Sequence, residues 1–121
     1  MIGLGFCTYI VASARYGTLY CGHTDDMLLR ATQHRLGLVD GFARRYGCKH
    51  LVWFEEHGSR DEAFRRERRI KKWRRAWKVE MIEALNPRWL DIGLCPVWPM
   101  PDAGLFPGLH ERCLGTAIPR A

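Results

Sequence analysis

The chain has 121 residues, 47% of them hydrophobic, and a formal net charge of +6 from 19 Lys/Arg and 13 Asp/Glu. That length and apolar content suit one domain with its own core and exclude a wholly disordered chain. Five scattered cysteines with no CxxC pair exclude a zinc ribbon or a disulfide framework, and neither a signal peptide nor a bilayer span is legible, so a reduced cytoplasm is the expected setting.

The run FCTYIVA, Phe6 to Ala12, predicts a first strand. Ser13 to Gly17 carries turn residues, and TLYCG, Thr18 to Gly22, predicts a second short strand. Pairing residue 12 with residue 17 would set Tyr9 directly opposite Tyr20 on one face of the hairpin. Thr24 or Asp25 is the expected N-cap of a helix of about ten residues, which stacks Arg30 and His34 on one flank at i,i+4. Gly37 to Gly47 reads as a loop rich in glycine and basic residues. HLVWFE, His50 to Glu55, predicts a third strand. Ser59 followed by Glu62 is a capping box that opens a basic helix. A further helix, roughly Trp77 to Leu85, follows and Pro87 stops it. The organisation expected is a domain over 1–92 and a Pro/Gly-rich tail over 93–121. That tail should have little regular structure, and Trp98, Leu105 or Phe106 could rest on the domain.

The charge is local. Residues 60–78 hold ten Lys/Arg and three Asp/Glu, so the rest of the chain is close to neutral. A local basic patch suits a polyanionic partner. Read as one helix, the stretch puts Ala63, Glu67, Ile70, Trp73 and Trp77 on an inward stripe. A carboxylate on such a stripe must be paired, protonated or bound to a cation. A basic surface around one inward acid suggests a metal held against a phosphate. On this reading Trp73 and Trp77 are core residues, not platforms for bases.

Tyr9, Tyr20, Arg30, His34 and Glu67 are the polar residues this pattern gathers. Each taken alone has a plain structural reading. The tyrosines suit cross-strand aromatic pairs, Arg30 an open surface, His34 a cation at a helix C-terminus, and Glu67 an i,i+4 ion pair with Lys71.

Taken together they resemble the GIY-YIG nuclease superfamily. In the stretch CTYIVASARYGTLYCG, Cys7-Thr8-Tyr9 stands for the first signature tripeptide and Tyr20-Cys21-Gly22 for the second. The run GHTDDMLLRATQH supplies the family's arginine and histidine at Arg30 and His34. HLVWFEE and EAFRRERRIKKWRRAWKVEMIEALNP are similar to the small stand-alone bacterial group, itself similar to the N-terminal nuclease domain of the bacterial excinuclease. The resemblance covers roughly residues 6 to 91. Thr8 and Cys21 replace the apolar middle residues of the signature, and both are small enough to pack. Asn86 falls where some family nucleases carry a late asparagine near the site, and Asn-Pro is also a good helix stop.

The resemblance implies an α/β (α+β) sandwich, with a central three-stranded antiparallel sheet flanked by helices in the order β-β-α-β-α-α. It implies a metal-dependent DNA endonuclease with little sequence specificity, acting in DNA repair or recombination. The cofactor implied is one divalent ion, Mg²⁺, which Mn²⁺ can replace. Glu67 would be its sole protein ligand, Arg30 the phosphate clamp, and Tyr9 the general base as a phenolate favoured by nearby cations. Tyr20 would orient water or phosphate, and His34 would share the proton work or bind phosphate. Arg65, Arg66, Arg69, Lys71, Lys72, Arg74 and Arg75 would hold the DNA backbone, which is branched, nicked or single-stranded DNA on this reading. Two other classes remain open: a non-cleaving nucleic-acid-binding module on the same scaffold, and a small protein whose basic helix meets an acidic protein.

Overall fold

The computed structural model describes residues 5–93. The expectations for the tail, including Trp98, Leu105 and Phe106, lie outside the described residues. The elements are β1 (Phe6–Ala12), β2 (Leu19–Thr24), α1 (Met27–Arg35), α2 (Phe42–Arg45), β3 (His50–His57), α3 (Arg60–Lys71) and α4 (Arg75–Leu85). The expected α+β order is therefore present, with one short helix, α2, inside the segment read as a loop. β1 is the central strand, antiparallel to β2 on one side and to β3 on the other.

Helices cover both faces of the sheet, which is why β1 is apolar without alternation. On one face Cys7, Tyr9, Val11, Leu51 and Phe54 pack with Met27 and Ala31 of α1 and Ala43 of α2. On the other, Ile10, Ala12, Cys21, Val52 and Trp53 pack with Ile70 of α3 and Ile82 of α4. The apolar run LVWF in β3 serves both cores through a bulge. Ile10 faces Trp53 but Val11 faces Leu51, so Val52 is the extra residue. Val52 and Trp53 thus both turn to α3 and α4, while Leu51 and Phe54 turn to α1.

The hairpin register corrects the expected one. Ala12 pairs with Leu19, Tyr9 with Gly22, and Val11 with Tyr20. The loop is longer than expected, closed by Ser13 N–H to the Thr18 carbonyl and Thr18 N–H to Ser13 Oγ, each 2.9 Å. The slip is two residues, so period-two alternation keeps Tyr9 and Tyr20 on one face. Their ring centroids lie 6.5 Å apart.

Two helix starts differ slightly from expectation. Asp26 caps α1, accepting Leu29 N–H at 3.1 Å. Ser59 caps α3 as the sequence indicates, accepting Glu62 N–H at 3.2 Å, but the Glu62 carboxylate accepts from Gly58 N–H at 3.1 Å.

The long inward stripe is also corrected. α3 ends at Lys71, where Lys72 and Trp73 N–H groups turn to the Arg69 and Ile70 carbonyls at 3.1 and 3.0 Å. The break resets the helical phase before α4, so the stripe holds for Ala63, Glu67 and Ile70 only. Trp73 is half-buried against the core, and Trp77 is 47% exposed and not a core residue. Arg74 lies 4.8 Å from the Trp77 ring centroid, a cation–π contact.

Asn86 stops α4 and ties the chain down. Its buried amide donates to the Val52 and Leu90 carbonyls, each at 2.9 Å, and accepts Leu90 N–H at 3.0 Å. These bonds account for Asn86 structurally and spend its amide away from the tyrosine pair.

Candidate active site

Tyr9 is held where β1 meets β2 because its partner across the ladder is Gly22. A Cβ at Gly22 would sit 2.6 Å from Tyr9 Oη, so no larger residue fits. This is a physical reason for glycine at that place in the second tripeptide. The i,i+4 geometry of α1 turns His34 inward, where its Nε2 meets Tyr9 Oη at 2.8 Å. Tyr20 closes the group, with its ring centroid 5.7 Å from that of His34.

Burial sets the protonation of this pair. It pushes the Tyr9 phenol well above its ordinary value, with Tyr20 and Glu67 adding to the shift and Arg30 opposing it. It pulls His34 down to about 4, with Arg30 adding to the shift. The Cys48 backbone pulls His34 the other way, although Nδ1 has no partner in hydrogen-bond geometry. Burial thus favours a neutral phenol beside a neutral imidazole, joined by one hydrogen bond of 2.8 Å. A phenolate at Tyr9 would need nearby cations to outweigh burial, and among the described residues Arg30 is the one that acts in that direction.

Glu67 lies on the inward stripe at 8% exposure, beside the β2 edge. Its Oε1 is 2.7 Å from His23 Nδ1, and its Oε2 is 3.1 Å from Lys71 Nζ. The plain i,i+4 pair with Lys71 and the inward acid are thus both present. Lys71 Nζ also lies 5.5 Å from the Tyr20 ring centroid, which links Glu67 to the tyrosines around the sheet edge. Arg30 is half-buried, and its guanidinium makes no hydrogen bond or ion pair among the described residues. It is available to an anion.

The basic residues do not form one surface. Arg65, Arg66 and Arg69 line an open cleft of about 400 Å³ with Glu55, His57 and Glu62, toward β3, the opposite edge of the sheet. Within it Arg66 Nε donates to Glu55 at 3.0 Å. Arg75 donates to the Tyr16 and Gly17 carbonyls at 2.8 and 2.7 Å. Lys72 and Arg74 are exposed at the break between α3 and α4. Lys71 is the expected basic contact that reaches the tyrosine–glutamate group.

Sequence reasoning missed His23, Phe42 and Tyr46. His23 alternates with Gly22 along β2 and so faces α3, where the Phe64 ring meets it edge-on at 5.3 Å. The strand period pointed to it, once Tyr20 and Gly22 were given to the other face. Phe42 stacks on Tyr20 with centroids 6.2 Å apart, and Tyr46 follows at 4.6 Å from Phe42. α2 spans only Phe42–Arg45, too short for a helical period to register.

Glu67 offers the oxygen donors that a hard divalent cation takes, and His23 and Lys71 engage the two oxygens here. Among the described residues no group of three or more His, Cys, Asp and Glu gathers, at Glu67 or away from it.

A central three-stranded antiparallel sheet covered by helices in the order β-β-α-β-α-α, with one short extra helix, defines a small α+β domain. The model of the GIY-YIG catalytic domain matches residues 5–80, and the chain belongs to that family. It is 40% identical to a UPF0213 protein of Pseudomonas aeruginosa over 70 residues, 58% of this chain and 66% of that one. It is 34% identical to a UPF0213 protein of Aeromonas salmonicida (strain A449) over 83 residues, 69% of this chain and 60% of that one. A UPF0213 protein of Staphylococcus aureus (strain N315) is 31% identical over 67 residues, 55% of this chain and 82% of the relative. The chain thus spans less than two thirds of the length of the first two relatives. No solved structure matches it significantly. Among the described residues no helix is long and apolar enough to cross a membrane.

Proposed function

We propose that this protein is a metal-dependent DNA endonuclease that hydrolyses phosphodiester bonds with little sequence specificity, using Mg²⁺, which Mn²⁺ can replace. DNA repair or recombination is the setting that the family resemblance implies. The observation that carries the reading is the placement of the buried Tyr9–His34 pair on one face of the sheet and Glu67 on the other, linked around the β2 edge by Lys71 and Tyr20, with Arg30 of α1 making no hydrogen bond or ion pair among the described residues.

Glu67 would hold the cation, which when bound neutralises charge on the phosphate and its leaving oxygen. Arg30 grips the non-bridging phosphate oxygens with its fork of donors. Tyr9 takes the proton from the attacking water, its ionised form favoured by Arg30 and the cation against the burial that opposes it, and His34 Nε2 holds the Tyr9 oxygen in place. Tyr20 positions water or phosphate through its hydroxyl.

The aromatic run Tyr20–Phe42–Tyr46 favours an unpaired strand as substrate. Phe42 and Tyr46 are 47% and 48% exposed, and Arg45 lies 5.7 Å from the Tyr46 ring centroid. Exposed rings beside a cationic edge bind bases by stacking, which duplex DNA does not offer.

The test is cleavage of a supercoiled plasmid and of a labelled single strand with Mg²⁺ or Mn²⁺, with Glu67→Ala and EDTA controls. Cutting that needs both the ion and Glu67 is expected. DNA binding without any cutting would favour the non-cleaving module instead.

A further inference from the structure

The partner of Glu67 Oε1 is a histidine, and this pair suits more than a hydrogen bond. His23 Nδ1 stands 2.7 Å from Glu67 Oε1, while Lys71 engages the other oxygen. Two ligands at right angles on a divalent ion with bonds of ~2.1 Å have donor atoms about 3 Å apart. The observed separation is close to that span without backbone movement. The imidazole is held on one side by Phe64, at a centroid distance of 5.3 Å, and its side chain is 28% exposed, so the pair is reachable from solvent.

We propose that His23 is a second, nitrogen ligand of the cation held by Glu67, which biases this site toward first-row transition ions over Mg²⁺. The proposal rests on the reading of Glu67 as a metal ligand. Imidazole nitrogen binds transition ions well and Mg²⁺ poorly, because Mg²⁺ prefers oxygen. Ligation needs the lone pair of Nδ1, so the ring proton that now faces Glu67 leaves Nδ1 and the neutral ring carries its proton on Nε2.

The test uses the full chain, stripped with EDTA and titrated with Mn²⁺ alone. Electron paramagnetic resonance follows the free ion, and electron spin-echo modulation reads any nitrogen bound to it. Wild type should bind Mn²⁺ with a directly coordinated ¹⁴N. His23→Asn keeps a donor for Glu67 but lacks the imidazole. It should lose the nitrogen signal and roughly tenfold of the Mn²⁺-over-Mg²⁺ preference, measured by competition. An unchanged nitrogen signal and preference in His23→Asn would overturn His23 ligation. Wild-type Mn²⁺ binding that lacks a coordinated nitrogen would overturn it too, with Glu67 still a ligand if Glu67→Ala abolishes binding. Mn²⁺ binding untouched by Glu67→Ala, or no binding by wild type at millimolar Mn²⁺, would overturn the Glu67 reading and the proposal together.

Discussion

Tyr9 Oη and His34 Nε2 lie 2.8 Å apart inside the protein, and burial drives their proton affinities in opposite directions. The phenol holds its proton more tightly than in water, while the imidazole stays empty down to about pH 4. An isolated buried phenol would be a poor base. Arg30 favours its ionised form, and a bound cation would add to that, so these charges must offset burial when Tyr9 takes a proton from water. Tyr9→Phe should therefore lower turnover by roughly 10²–10⁴-fold, the usual range for a lost general base, with DNA affinity largely kept. Single-turnover cleavage beside a binding titration measures both. Turnover unchanged in Tyr9→Phe would remove Tyr9 from the proton path.

The same pair makes stability depend on pH. Unfolded, His34 takes a proton near its ordinary value of 6.5; folded, it does so only near 4. Between those values the unfolded chain binds more protons, so stability falls as pH falls through the window. The loss is on the order of 3 kcal/mol by the bottom of the window, and nothing of it is felt above pH ~7. Urea midpoints at about pH 7.5 and about pH 4.5 should separate more for wild type than for His34→Gln. Parallel losses in the two proteins would show that His34 does not carry the effect.

Most of this arrangement was legible because strands and helices have fixed periods. The tyrosines share one face even in a register two residues wrong, since an even slip preserves the face. Glu67 stands out on the inward stripe because Ala63 and Ile70 flank it at helical steps. What escaped lies where no period operates. The break after Lys71 contains no glycine or proline, so Trp73 and Trp77 continue the pattern on paper while Trp77 turns to solvent. α2 is a single turn between Gly41 and Gly47, and composition alone hides the Phe42–Tyr46 contact within it. His23 escaped because the expected strand stopped at Gly22, although β2 runs on to Thr24 and alternation sends His23 toward α3.

Gly22 offers a steric test of how tightly Tyr9 must be held. A methyl group there would meet Tyr9 Oη at 2.6 Å and Cζ at 2.7 Å. The ring is buried against His34, so it can relieve the clash only by giving up that hydrogen bond. Gly22→Ala should cost roughly 1–3 kcal/mol of stability through overpacking. Its turnover should fall about as far as in Tyr9→Phe, and the double variant should fall no further than either single one. Additive losses would mean that Gly22 acts on something other than Tyr9.

Asn86 should behave in the opposite way. Its amide satisfies buried backbone groups of Val52 and Leu90 and none of the candidate site. Asn86→Ala leaves those groups unpaired, at a cost of roughly 2–4 kcal/mol. Turnover per folded molecule should stay near wild type. A full-strength urea midpoint joined to a large loss of turnover would instead assign Asn86 to the chemistry.

The exposed rings beside Tyr20 separate recognition of an unpaired strand from general attraction to phosphate. Phe42 and Tyr46 carry little of the core, whose α1 side is closed by Met27, Ala31 and Ala43. Replacing both by alanine should therefore leave the fold intact. Stacking contributes roughly 1–3 kcal/mol per base, so affinity for a single-stranded oligonucleotide should drop tenfold or more. Duplex binding rests on Lys and Arg and should be unchanged, with the same dependence on salt. Fluorescence anisotropy on matched single- and double-stranded probes reads the difference. An equal loss on both probes would mean that α2 supports the basic surface and does not stack bases.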